Sequence, residues 1–212
     1  MTSLLTHNPY RVLGVYSNSP KKDVLSNLNK MKAFLKVGKT VSFPLDLPQF
    51  LPSIDRDDAM VSSAQASIEL PMDQIKHTLF WFMKATSLDD IAFNHLLGGN
   101  MVQAKEIWNK KETVSSLLNL MACALIEGDT DSLAIKADTL FQNYYIDFCL
   151  AVNETIKLSS TQLTELFVEL LKEDGTFELA SLMQVPGTSV EWRKIIGRGL
   201  VKPVSYTHLR AH

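Results

Sequence analysis

Pro20-Lys21-Lys22-Asp23-Val24-Leu25-Ser26-Asn27-Leu28-Asn29-Lys30-Met31-Lys32-Ala33-Phe34-Leu35-Lys36-Val37-Gly38 is the stretch from which the fold class is read. Val24, Leu28, Met31 and Leu35 recur at i, i+4, i+7 and i+11, which is one face of a 3.6-residue period and predicts an amphipathic helix. Ser17-Asn18-Ser19 offers cap residues, Pro20 suits the first helical position, and Gly38 is placed to end the element. At about 100° per residue, Lys21, Lys32, Lys36 and Lys39 fall within about 60° of one another on the flank of the apolar face. The stretch thus predicts a helix with a packing seam and a basic stripe beside it.

The same period governs most of the remaining chain. Another helix is expected from near Asp55, with Asp57 and Asp58 in its first turn and Met60, Ala64 and Ile68 on its face, ended by Pro71. Ile75, Leu79, Phe80 and Phe82 make residues 71–84 densely aromatic. Phe80-Trp81-Phe82, read as helical, would spread over about 200° and could not all face one core. One ring should therefore seal this region against the later helices, of which the one from Leu88 to Leu97 is the nearest apolar supply, or else serve as a peptide-binding anchor.

Beyond Ser87 every segment has helical period, broken by short polar turns at 98–100, 112–113, 127–129, 158–160 and 173–175. No stretch alternates in the manner of a strand. Elements near a dozen residues joined by such turns predict stacked antiparallel helical hairpins. The chain is expected to be all-α. The exception to helical period is residues 40–55, where Pro44, Pro48 and Pro52 forbid a regular helix or central strand. Phe43, Leu45, Leu47, Phe50, Leu51 and Ile54 demand burial, so an ordered loop is expected there.

Composition narrows the class further. With 212 residues, 46% hydrophobic and 21% charged, the chain can build a sizeable core without staples, and its 9 Gly and 8 Pro exclude low-complexity classes. The net charge of -2 excludes a chain-wide field for nucleic acid. That value hides an asymmetry: residues 1–40 carry seven basic side chains against Asp23 alone, a net +6, which leaves −8 for the remainder. Cys123 and Cys149 lack any metal or redox spacing and read as buried free thiols. No basic, apolar leader opens the chain and no apolar run reaches the roughly 18 residues of a membrane span, so a cytoplasmic protein is expected, with no membrane partner.

No enzymatic constellation is visible. His7, His77 and His95 are not at ligand spacing, Asp57-Asp58 and Asp89-Asp90 suit caps better than a paired acid and base, and no Ser/His/Asp, Cys/His or phosphate-binding glycine loop occurs. The expectation is a protein without catalytic residues, metal or cofactor.

Two resemblances give these elements a context. Ala92, Gly99, Ala104 and Trp108, at offsets 0, 7, 12 and 16, resemble the helix-turn-helix packing positions of a tetratricopeptide repeat. Leu125-Ile126-Glu127-Gly128-Asp129 repeats the turn 29 residues later. Asn8-Pro9-Tyr10-Arg11-Val12-Leu13-Gly14-Val15 resembles the opening of a J-domain, the helical module with which the DnaJ family engages the 70-kilodalton heat-shock chaperones. The basic helix at 20–37 stands where that family has its positively charged second helix. The stretch from Ala64 to His77 looks like its third helix running into a Leu-x-Asp-Pro-type segment. The likeness covers residues 8–83, but between Gly38 and Asp55 there is no histidine and so no His-Pro-Asp tripeptide; Phe43-Pro44-Leu45-Asp46 does not replace it. The resemblance carries over the basic helix alone.

The expected organisation is therefore a J-domain-like three-helix head over 8–84, packed on a helical-hairpin array over 87–202. Residues 204–212, Val-Ser-Tyr-Thr-His-Leu-Arg-Ala-His, resemble translated adaptor read-through and read as a foreign tail, the alternative being an ordinary disordered C-terminal tail. Lys21, Lys22, Lys32, Lys36 and Lys39 are the candidate partner-binding residues. The stripe they form could dock an acidic protein surface, be a solvated helix flank, or bind phosphate. The expected function is that of a non-enzymatic, co-chaperone-type adaptor whose partner is a protein: a heat-shock chaperone or a client. The alternative is a purely structural helical scaffold with no chaperone contact.

Overall fold

The computed structural model describes residues 1–201; the tail at 204–212 lies outside them. The described residues are all-α, with no strand. Two short helices open the chain, α1 (Ser3–Thr6) and α2 (Pro9–Val12), before the long α3 (Lys21–Lys36), α4 (Asp58–Ala66) and α5 (Pro71–Thr78). Then come α6 (Ser87–Leu97), α7 (Met101–Trp108), α8 (Val114–Glu127), α9 (Thr130–Asn143), α10 (Tyr145–Val152), α11 (Ser160–Asp174), α12 (Leu179–Met183) and α13 (Val190–Val201). α6 with α7 and α8 with α9 are the two most closely packed pairs, each joined by a short turn, and α11, α12 and α13 pack together at the far end.

Each hairpin is cut from the sequence by local chemistry. Thr86, Thr113 and Ser159 cap α6, α8 and α11 by accepting from the backbone N–H three residues on. α8 and α11 end on Gly128 and Gly175 in left-handed conformation. α8 is buried from Ser115 through Leu125, nearly all round, as befits a helix covered on every side. Ala92 and Ala104 are fully buried where α6 meets α7, and Trp108 closes the end of that pair.

α3 runs over the expected span, with Leu28 and Met31 buried and Val24 and Leu35 half-buried. Its start differs in detail. Pro20 is itself the cap residue, in extended conformation, and no side chain caps the helix, because the Ser19 hydroxyl accepts instead from the Tyr16 N–H at 3.0 Å. Lys39 lies beyond the helix, past Gly38 at φ 68°, so the helical stripe consists of Lys21, Lys32 and Lys36 rather than all four lysines. α4 begins at Asp58, with Asp57 as the cap, and ends before Ile68.

The aromatic run is not helical. α5 stops at Thr78, a turn follows at Leu79 and Phe80, and residues 82–85 have no regular secondary structure, so the rings do not follow helical spacing. Phe80 stacks on Phe167 of α11, with centroids 5.4 Å apart. The Trp81 indole N–H donates to the Val15 carbonyl at 2.8 Å, and Phe82 meets Phe93 of α6 and Trp108 of α7. The covering of these rings therefore comes from α6 as expected, and also from α7 and α11. Asn119 of α8 extends the seam: Met83 N–H donates to its Oδ1 and its Nδ2 donates to the Met83 carbonyl, both at 2.8 Å. The N-terminal and C-terminal segments thus share one core.

Candidate functional site

A buried arginine pair holds the proline-rich loop between α3 and α4. Arg56 donates from Nε to the Val12 carbonyl at 2.7 Å, from Nη2 to the Arg11 carbonyl at 3.0 Å, and from Nη1 to the Val41 carbonyl at 3.2 Å. It also binds both carboxylate oxygens of Asp46. Arg11 donates to the carbonyls of Thr6 at 2.8 Å, Asp46 at 2.9 Å and Pro52 at 2.6 Å. Its burial pushes the guanidinium below its ordinary pKa, opposed by the nearby Asp46 charge. Two planar donor forks thereby tie three carbonyls of the proline-interrupted loop, at Val41, Asp46 and Pro52, to three of the N-terminal segment, at Thr6, Arg11 and Val12.

Asp46 also accepts from the Phe43 N–H at 3.1 Å, so its carboxylate is turned inward and fully engaged. The Phe43 ring is packed against Gly14, whose φ is 69° and where an added Cβ would run into that ring. Lys30 and Arg56 both lie over the Phe43 ring, at 5.2 and 5.0 Å from its centroid. Lys30 thereby serves the loop.

The five candidate lysines are left on the outside. Lys21, Lys22, Lys32, Lys36 and Lys39 are all exposed, and none of them makes an ion pair among the described residues. Lys21 and Lys36 stand at opposite ends of α3, roughly 22 Å apart along the axis. Lys32 faces the same way between them; Lys22 is turned about 100° from Lys21, and Lys39 sits in the turn after the helix. The structure therefore brings three of the five into a line and leaves two at its margins. Asp23 stands about 200° around the helix from Lys21, so no acid interrupts the line.

Beside the N-terminal end of this line lies a groove of about 730 Å³. Val24, Leu25 and Leu28 of α3 form one wall, Ile68 and Glu69 the other, and Tyr10 the floor. Burial raises the Tyr10 hydroxyl to about 12, so it stays protonated at neutral pH. The far end is closed by Val152 and Asn153, where the Asn153 amide donates to Gln74 Oε1 at 3.0 Å.

The remaining candidates take structural places. Asp89 caps α6, as its position in the sequence suggests, and is also fully buried: one oxygen accepts from the Ala85 and Thr86 N–H groups at 2.8 Å, the other from the Trp108 indole at 2.9 Å. Cys123 and Cys149 are buried free thiols, and burial pushes Cys123 far above its ordinary pKa. Among the described residues no three His, Cys, Asp or Glu side chains gather as a metal would require, and no helix is long and apolar enough to cross a membrane. Sequence reading assigns neither arginine its role in the loop, since each draws its partners from carbonyls up to 45 residues away.

Comparison with protein-family models, with curated proteins and with solved structures returned no match to this chain.

Proposed function

We propose that this chain is a non-enzymatic, cytoplasmic interaction protein that docks an acidic protein surface on the lysine line of α3, in the manner of a J-like adaptor. The observation that carries the reading is the division of labour among its basic residues. Arg11 and Arg56 are buried and committed to the loop, whereas Lys21, Lys32 and Lys36 are exposed and without an acidic partner. Desolvated arginine forks hold structure, and hydrated lysines projecting from a rigid helix raise the rate of encounter with an opposite charge. The partner class comes from the J-domain resemblance: a 70-kilodalton heat-shock chaperone, approached without stimulation of its ATPase, because the loop contains no histidine and its Asp46 is bound to Arg56.

A second reading is favoured by the shared core. Phe80 on Phe167 and Met83 on Asn119 join the N-terminal segment to the helices beyond so closely that it could serve solely as a cap on them, a scaffold with no chaperone contact. Surface-immobilised protein exposed to purified chaperone separates the two. Under the adaptor reading, binding occurs, weakens as salt rises, and is lost when Lys32 and Lys36 are changed together to Glu. Under the scaffold reading there is no specific binding to lose.

A further inference from the structure

The groove beside α3 has an apolar strip within a lining that also holds Ser17, Ser19, Gln65 and Gln74. Val24, Leu25, Leu28 and Ile68 line it, and Leu25 is 54% exposed. A single exposed leucine means nothing by itself. Leu25, however, falls in the same sector of about 60° as Lys21, Lys32 and Lys36, since it is one turn on from Lys21. The basic line and the exposed rim of the apolar wall at Leu25 are therefore one surface, with Val24 and Leu28 behind it on the packing side. We propose that this groove seats the apolar face of an acidic amphipathic helix of a partner protein, whose carboxylates meet the α3 lysines. The inference rests on the reading that the lysine line binds a protein, and it names the segment bound.

Charge selects the sign of that occupant. Lys21 lines the groove, with Lys22 beside it and Lys32 and Lys36 further along the helix, against Glu69 alone on the facing wall. The cavity of about 730 Å³ has room for apolar side chains beside Leu25, and an amphipathic helix presents such anchors one turn apart together with a charged flank. The wall facing α3 is tied down by a distant part of the chain. The Asn153 amide, just past α10, holds Gln74, and the Gln74 amide in turn donates to the Ile68 carbonyl at 2.9 Å. The groove is therefore preformed, and binding costs little ordering. A polyanion such as RNA is disfavoured by apolar walls and by Glu69. A flat bilayer would not fill a concavity.

The test is fluorescence anisotropy with a labelled helical peptide that has leucines on one face and glutamates on the other. Its lysine-for-glutamate counterpart and a scrambled-order peptide serve as controls. The full chain should bind the first and neither control. Leu25→Gln, at an exposed position that leaves folding intact by circular dichroism, should weaken binding at least about tenfold, which is 1.4 kcal/mol. Lys32→Glu with Lys36→Glu should weaken it by a similar factor. If the lysine variant loses binding and Leu25→Gln does not, the groove is not the seat and only the lysine reading stands. If Leu25→Gln loses binding and the lysine variant does not, the charge-led docking falls, and this inference with it. Equal binding of the scrambled peptide, or no binding of the first, overturns the groove proposal whatever the chaperone assay gives.

Discussion

Truncating Phe80 to alanine should unfold both ends of the protein together. The ring is 1% exposed and stacks on Phe167, which in turn meets Phe141 of α9 and Trp192 of α13. Phe80 is thus the N-terminal segment's contribution to an aromatic cluster otherwise built from three C-terminal helices. Loss of a buried phenylalanine and the cavity it leaves costs roughly 3–5 kcal/mol, of which about 0.5–1.5 is the specific ring pairing. Against a typical total of about 5–15 kcal/mol, that is a large share of the stability. For a chain of this size about 1 kcal/mol moves the melting temperature by roughly 2–4 °C, so a drop on the order of 10 °C is expected. The tryptophans allow each part to be watched: Trp81 reports on the N-terminal segment, Trp192 on the far end. Near-ultraviolet circular dichroism and tryptophan fluorescence should give one coincident transition in the parent and in Phe80→Ala, with Phe80→Leu recovering most of the loss. Two separated transitions, of which only one moved, would refute the shared core. So would a sharply melting, soluble fragment of residues 1–85.

Three further outcomes are expected. Arg56→Met should lower stability in urea unfolding by roughly 3–5 kcal/mol, because it leaves Asp46 buried without its cation and takes away the side-chain donors to the carbonyls of Val12 and Val41; a loss below about 1 kcal/mol would show the loop holds itself. His77 has its pKa lowered from 6.5 by burial, with Asp73 opposing and Lys76 assisting, so the unfolded chain takes up a proton there before the folded one does. Stability should therefore fall as pH drops below 6.5, and His77→Gln should flatten the melting temperature over that window, an unchanged slope counting against it. In a single-turnover assay with a 70-kilodalton chaperone the protein should leave ATP hydrolysis at its basal rate; stimulation like that of an intact J-protein would overturn the account of the loop.

Legibility in the sequence divides along the range of the interactions involved. α3 can be read because Val24, Leu28, Met31 and Leu35 are a local pattern and Gly38 a local stop. The turns after α6, α8 and α11 can be read for the same reason. Phe80-Trp81-Phe82 reads as helix because its neighbours are helix formers; the demand of three separate sites, Phe167, Val15 and Phe93, none within ten residues, pulls it out of that conformation. Arg11 and Arg56 look like surface charge in the sequence, yet their partners are loop carbonyls that only the fold assembles. The lysines of α3 are legible as a stripe. The groove next to them is not, because much of its lining comes from Ile68, Gln74 and Val152 on other parts of the chain.

The first forty residues carry a net +6, and the fold does not spread that charge evenly. Guanidinium is weakly hydrated and offers five donors in a fixed fork, so Arg11 can enter the interior, where its two Nη groups donate to three carbonyls while its Nε is left without a partner. An ammonium is more strongly hydrated and has no such fork, so the lysines of α3 stay on the surface, Lys30 among them, with its charge leaning over Phe43. The two types are therefore not interchangeable here. Arg11→Lys would gather its three donors on one nitrogen, which cannot reach the Thr6, Asp46 and Pro52 carbonyls as two separate Nη groups do, and would unsettle the loop, whereas Lys32→Arg would keep the outer charge and the docking it supports. On the surface of α3 the requirement is charge in a line; beneath it, the requirement is donor geometry.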